Sequence, residues 1–317
     1  MKIGLAQISP VWLRRKETVA KIAKWVGRAA DEGCDLVAFG ESLVPGYPFW
    51  LSSTDGARFN SDIQKELYSH YLDQAVVVAR GDLEPVCIAA RQRGIAVMLG
   101  CFERATDRGA HTGYCSLVTI DRAGAILNVH RKVMPTYEER LVWGTGDGHG
   151  LRTFNHAGFC IGGLNCWENW MPLLRSSLYG QGESLRVAVW PGGPQNTRDI
   201  TRFVAMEGRS YVASVSGVMT HNAISDELPH AELLREKCPP MMAAGGSCIA
   251  GPDGEWIAPP ADDQEQLITA TLDPAFVRRE RQNFDPSGHY SRPDITRLHV
   301  DRRRQSVLSL TDEHPPG

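Results

Sequence analysis

Glu41, Lys132 and Cys166 each stand at the end of a strand-like run, and together they could perform one reaction. Cys166 closes the run Gly162-Gly163-Leu164-Asn165-Cys166-Trp167-Glu168-Asn169-Trp170, in which an apolar segment with two glycines leads straight into the thiol. A tight turn follows, and a helix starts near Pro172, because proline suits a first helical position where its missing N–H has no partner to lose. The cysteine therefore belongs on a strand-to-helix elbow, which presents a nucleophile and turns the following backbone N–H groups toward the reacting atom. The thiolate is the attacking form, and N–H dipoles or a cation nearby favour it. A carboxylate such as Glu41 can accept the thiol proton. A fixed ammonium such as Lys132, helped by the Trp167 N–H, can stabilise charge that builds on nitrogen or oxygen when a multiply bonded carbon is attacked. Adjacent carboxylates keep such a lysine cationic, and Glu139, in Thr136-Tyr137-Glu138-Glu139-Arg140, is the candidate for a second one. Taken singly, these residues read as a core cysteine, a capping acid, a solvated strand end and the charged face of a helix start. Their joint placement favours chemistry.

The elements that carry these groups follow from hydrophobic spacing. Residues 2–7 read as a strand, followed by a helix over 17–32 whose Val19, Ile22, Ala23, Val26 and Ala30 share a face, with Gly33 as its stop. Asp35-Leu36-Val37-Ala38-Phe39-Gly40 is an apolar run like a buried strand, and it ends at Glu41. Helical patterns cover 61–80 and 84–93, the second ended by Gly94. Strands follow over 95–102, 114–120 and 125–130. Asp121-Arg122-Ala123-Gly124 is the hairpin turn between the last two, and that hairpin delivers His130-Arg131-Lys132. A strand over 160–164 precedes Cys166. Strands over 186–190, 211–216, 247–250 and 267–272 complete the set, with Pro252-Asp253-Gly254 as a late turn. Early strands alternate with helices and later ones are joined by hairpins, which predicts mixed sheets with helices outside, as α/β layers. Sites in such sheets form beyond the carboxyl ends of strands, so the three groups can converge.

Composition bounds the function. The chain has 317 residues and a formal net charge of −3, which supports neither nucleic acid nor an anionic membrane surface as a partner. Its eight cysteines include no Cys-x-x-Cys pair and no cysteine–histidine zinc spacing, so they read as small hydrophobes in a reducing compartment. The N-terminus is already strand-like, and no run is apolar enough to span a bilayer. The expected location is the cytoplasm. No repeat or linker divides the chain: residues 1–300 read as one domain, and 301–317, with Arg302-Arg303-Arg304, as a tail that is either loosely ordered or an oligomer contact. Residues 311–317 in particular read as loosely ordered.

Three ordered motifs carry a resemblance. Phe39-Gly40-Glu41-Ser42-Leu43-Val44-Pro45-Gly46-Tyr47-Pro48 resembles the glutamate motif of the nitrilase superfamily of carbon–nitrogen hydrolases. His130-Arg131-Lys132-Val133-Met134-Pro135-Thr136-Tyr137-Glu138-Glu139-Arg140 resembles its lysine motif, with the further glutamate at Glu139, and Asn165-Cys166-Trp167-Glu168-Asn169 its cysteine motif. The likeness continues through Gly246-Ser247-Cys248-Ile249-Ala250-Gly251-Pro252-Asp253-Gly254 and Phe284-Asp285-Pro286-Ser287-Gly288-His289-Tyr290, so it spans nearly the whole chain. Cys166-Trp167-Glu168 is similar to the nitrilase branch, whereas amidase and carbamoylase branches usually place a different residue and then Asp after the cysteine. The resemblance implies a four-layer αββα sandwich, two mixed sheets covered by outer helices, often paired into dimers and longer spirals. It implies no metal and no organic cofactor. The implied activity is hydrolysis of an organic nitrile to a carboxylic acid and ammonia; an amidase, an N-carbamoyl hydrolase or a cyanide-converting enzyme is the alternative.

Aromatic residues near the motifs would wall an apolar pocket: Tyr47 and Trp167 first, and Trp190 with them. Pro191-Gly192-Gly193-Pro194 is either pocket lining, through Pro191, or simply a turn. Gly144-Thr145-Gly146-Asp147-Gly148-His149-Gly150 lacks the spacing of a phosphate loop and reads as a flexible loop near the site mouth. His130, His149, His156 and His289 lack metal-ligand spacing and read as structural.

Overall fold

The computed structural model describes residues 1–308, so the expectation of loose order over 311–317 lies outside the described residues. In chain order the strands are β1 (Lys2–Gln7), β2 (Leu36–Phe39), β3 (Ala96–Arg104), β4 (Gly113–Ile120), β5 (Ile126–Arg131), β6 (Phe154–His156), β7 (Phe159–Asn165), β8 (Leu185–Trp190), β9 (Tyr211–Ser216), β10 (Val218–Thr220), β11 (Met241–Ala244), β12 (Cys248–Ala250), β13 (Trp256–Ala258) and β14 (Gln266–Thr271). The helices are α1 (Arg15–Asp31), α2 (Trp50–Ser53), α3 (Asp62–Asp73), α4 (Glu84–Arg93), α5 (Pro172–Tyr179), α6 (Pro194–Gly208), α7 (Ala231–Lys237) and α8 (Pro274–Arg281).

The central strands of both sheets are buried on both faces, which dictates the layering. Ile3 and Leu5 of β1 and Leu36 and Ala38 of β2 belong to one apolar cluster, while Ala6, Val37 and Phe39 belong to another. Successive side chains of a strand point to opposite faces, so each strand needs cover on two sides. One sheet runs β14-β1-β2-β3-β4-β5 and the other β13-β12-β9-β8-β7-β6. Both are mixed: β1, β2 and β3 pair in parallel, as do β7, β8 and β9, with antiparallel strands flanking them. The sheets face each other, β1 against β9 and β4 against β7. Ile3, Leu5, Met98 and Leu117 meet Ile161, Val187, Val189 and Ala213 between them. Helices α1 and α4 cover the outer face of the first sheet through Ile22, Val26, Val86 and Ala90. Helix α6 covers the second through Ile200, Val204 and Ala205. This is the expected four-layer αββα sandwich.

Differences from expectation have local causes. The helix expected over 61–80 ends at Asp73, because Val76 instead bonds beside β3: its N–H donates to the Phe102 carbonyl at 2.8 Å and its carbonyl accepts from the Arg104 N–H at 2.8 Å. The β-branched run Val76-Val77-Val78 favours that extended path. Helix α6 has no counterpart among the expected elements, although Pro194 opens it; the short strands β6, β10 and β11 have none either. The 144–150 segment packs behind the lysine strand: the Gly146 N–H donates to the Lys132 carbonyl at 2.9 Å, and the Gly144 N–H to the Gly113 carbonyl at 2.9 Å. Within 301–308, Arg304 pairs with Asp147 at 3.0 Å and donates to the Val129 carbonyl at 3.1 Å, which lays this stretch against the same segment.

Candidate active site

Each candidate group sits just past the carboxyl end of a strand: Glu41 after β2, Lys132 after β5 and Cys166 after β7. Glu41 is held where the sheets converge, its N–H donating to the carbonyl of Trp190 at the end of β8 (3.1 Å). The Lys132 N–H donates to the Cys115 carbonyl of β4 at 2.7 Å. Cys166 has φ +46°, a left-handed conformation uncommon outside glycine and asparagine, which marks the strained elbow expected of a presented nucleophile. Two identical devices build the turns. Asn165-Cys166-Trp167-Glu168 and Thr136-Tyr137-Glu138-Glu139 are both capping boxes, in which the first side chain accepts the fourth N–H and the glutamate accepts the first N–H. Asn169 closes the elbow by donating to the Cys166 carbonyl at 2.9 Å.

The side chains meet. Lys132 Nζ donates to Glu41 Oε1 at 2.9 Å and to Glu139 Oε2 at 2.7 Å. A sulfur–oxygen set made of Cys166, Glu41 and Glu139 lies within 4.8 Å of one another. Lysine supplies the cation between the two carboxylates. All four groups are buried, Lys132 with 0% exposure and Cys166 with 3%. The second carboxylate oxygen of Glu41, Oε2, is buried without a hydrogen-bond partner, so it is free to take a proton.

Burial makes the charge balance tight. Two carboxylates and one ammonium would leave a net negative charge away from water, which is costly. Desolvation drives the Glu41 carboxyl up to about 7; Lys132 opposes the rise and Glu139 adds to it. Lys132 is held well above the usual lysine range: burial alone would lower it, but Glu41, Cys166 and Glu139 outweigh that. The Cys166 thiol is pushed well above the usual thiol range by burial and then by Glu41, with Lys132 and the Trp167 N–H partly offsetting. Burial thus favours the neutral thiol over the thiolate.

The other expected contacts are distributed differently. Tyr47 donates its hydroxyl to Glu139 Oε1 at 2.8 Å and packs edge-on to Trp143. Trp143 lies with its ring 5.4 Å from Lys132 Nζ. Trp167 is 52% exposed and leans on Trp170. Trp190 is wholly buried in the same apolar cluster as Cys166, its indole N–H donating to Ser214. Pro191 starts the turn that leads from β8 into α6. Sequence reasoning missed three contributors. Cys115 directs its thiol to Glu41 Oε1 at 3.6 Å. His130 meets Glu168 at 3.0 Å with both side chains buried. Glu168 was legible as a branch marker and, with Asn165 three residues earlier, as a capping box; its bonds to another strand were not.

Comparison with known proteins shows the family of the chain. Residues 2–282 match the family described as "Carbon-nitrogen hydrolase". "Nitrilase 2" of an unknown prokaryotic organism is 34% identical, over 98% of this chain and 95% of that protein. An arylacetonitrilase of Macrophomina phaseolina (strain MS6) is 31% identical, over 100% and 96%. An aliphatic nitrilase of Rhodococcus rhodochrous is 31% identical, over 97% and 84%. A crystal structure of a carbon–nitrogen hydrolase from Helicobacter pylori G27 superposes with TM-score 0.69 at 19% identity, covering 93% of this chain and 96% of that one. With the family match over residues 2–282 and a relative 34% identical over 98% of its length, the chain belongs to the carbon–nitrogen hydrolase family.

Proposed function

We propose that this hydrolase is a nitrilase, converting an organic nitrile and two waters to a carboxylic acid and ammonia, with Cys166 as nucleophile, Glu41 as general base, Lys132 as the electrostatic stabiliser and Glu139 as the carboxylate that holds Lys132. The observation that carries the reading is the position of Lys132 Nζ, bonded to Glu41 and Glu139 beside the Cys166 sulfur. Glu41 takes the thiol proton as sulfur adds to the nitrile carbon. The nitrogen gains the electron pair of one C–N bond and a proton, giving a thioimidate, R–C(=NH)–S–Cys. Lys132 and the Trp167 N–H stabilise the charge that develops. Water, deprotonated by Glu41, adds to the same carbon and gives R–C(OH)(NH2)–S–Cys. Protonation of nitrogen breaks the C–N bond, releases ammonia and leaves a thioester. A second water releases the acid and restores the thiol. Tyr47, Trp167, Trp190 and Pro191 surround the organic group in this reading.

The nitrile, rather than the amide, is favoured by Cys166-Trp167-Glu168 and by the nitrilases among its relatives. Ammonia release from an aliphatic dinitrile, an aromatic nitrile, an arylacetonitrile, cyanide and the matching amides tests it. Ammonia from nitriles is the expected result; ammonia from amides alone would move the chain to the amidase branch. The working form is proposed to be a cytoplasmic homo-oligomer. Its eight free thiols suit a reducing compartment, and among the described residues no helix is long and apolar enough to cross a membrane.

A further inference from the structure

Glu168 uses its buried carboxylate outside the Lys132 cluster. It accepts the Asn165 N–H at 2.7 Å and the Val133 N–H at 2.7 Å, and it meets His130 Nε2 at 3.0 and 3.1 Å. Asn165 immediately precedes the nucleophile, and Val133 immediately follows the lysine. One side chain thus ties the end of β7 to the end of β5, strands that belong to opposite sheets. The apolar layer between those sheets is non-directional, and it cannot by itself set the offset of two strand ends. Charge-assisted hydrogen bonds are short and directional, so this carboxylate can. Gly150 leaves room for His130: a Cβ there would collide with the His130 Cα and come 2.6 Å from its Cβ and 2.9 Å from Nδ1.

Resting on the nitrile-hydrolysis reading, we propose that Glu168 is a positioning residue that sets the aim of Cys166 relative to Lys132, and thereby decides whether acid or amide leaves the enzyme. The intermediate R–C(OH)(NH2)–S–Cys has two exits. If nitrogen receives a proton, the C–N bond breaks, its electron pair leaves with ammonia, and the hydroxyl proton passes to a base as the thioester carbonyl forms. If nitrogen receives none, the C–S electron pair returns to sulfur, which takes up the hydroxyl proton, and R–C(=O)NH2 leaves. Thiolate is a better leaving group than an unprotonated amine. An elbow displaced from the Lys132–Glu41–Glu139 cluster therefore favours amide.

The test is Glu168→Gln in the full-length enzyme, with the best nitrile of the panel as substrate and acid and amide quantified separately. The substituted amide would set an NH2 against one of the donors that Glu168 accepts. Acid formation is expected to fall by about tenfold or more, as sub-ångström misplacement does, and the amide-to-acid ratio to rise severalfold. A purely structural role would lower both rates equally and leave the ratio unmoved, because the ratio does not depend on the folded fraction. An unchanged ratio in folded Glu168→Gln overturns the proposal. Should that variant fail to fold, Glu168→Asp decides: it keeps the charge but shortens the side chain by one methylene, so the bonds to the Asn165 and Val133 N–H groups cannot both be kept, and an unchanged ratio there is equally fatal. If the wild type converts no nitrile, the reading of the reaction fails separately. The iodoacetamide labelling rate of Cys166 then tests positioning: a several-fold fall in either variant supports it, and an unchanged rate overturns it.

Discussion

At the scale of single residues, the buried cluster makes definite demands. The sulfur of Cys166 is the one atom that forms covalent bonds in the proposed reaction. Cys166→Ala should abolish ammonia release while costing only about 1 kcal/mol of stability, the ordinary size of a single substitution; residual turnover would overturn the mechanism. The pH dependence follows from Glu41. Burial raises its carboxyl to about 7, with Lys132 opposing and Glu139 adding. Only the deprotonated form can take the thiol proton, so the initial rate should rise with pH through about 7 and level off above it. Glu139→Gln removes the like charge that helps to raise Glu41 and loosens Lys132. It should slow turnover and move the acidic limb to lower pH. A pH–rate profile of the two proteins checks both effects, and a limb that stayed in place would remove Glu139 from the electrostatics of the base.

At the scale of elements, the site depends on backbones that approach closely. Gly100 lies in β3 beneath Glu41: a Cβ there would collide with the Gly40 carbonyl oxygen and come 2.7 Å from Glu41 Cα and the Ser42 N. Those are backbone atoms, which cannot rotate away. Gly100→Ala should therefore displace Glu41, lowering turnover by about 10- to 100-fold, while overpacking costs about 1–3 kcal/mol. Turnover and thermal melting measured together check this; an unimpaired variant would show that the β2 end has slack. The two capping boxes are the matching local devices. Their Asn/Thr-x-x-Glu spacing was available in the sequence, but which glutamate also reaches a lysine or a neighbouring strand was not.

At the scale of the whole molecule, the outer layer of the second sheet is incomplete. Trp167 and Trp170 precede α5, Leu173 lies on it, and Phe203 and Met206 lie on α6; all are exposed, Leu173 by 68%. Helices α5 and α6 are joined there by Arg175 and Tyr179, both bonded to Glu207. Large exposed apolar side chains gathered on two joined helices suit an association site, and the proposed homo-oligomer would bury them. Sedimentation should show multiples of the 35.0 kDa chain, and Leu173→Glu should shift the distribution toward monomer by desolvating a charge within that contact. A monomeric wild type would refute the oligomer.

The sequence by itself determined the chemistry-bearing residue types and the elements that present them. Strand-like runs ending at Glu41, Lys132 and Cys166, the hairpin at 121–124 and the glycine stops at Gly33 and Gly94 are local signals, and local spacing carries them. Tertiary structure alone decided which groups touch. That Lys132 bridges Glu41 and Glu139 and that Tyr47 holds Glu139 depend on two strand ends of one sheet, far apart in sequence, and that Glu168 ties β7 to β5 depends on strand ends drawn from two sheets. Those contacts arise when the apolar layer closes, because a buried charge must then find its partners wherever the chain has brought them.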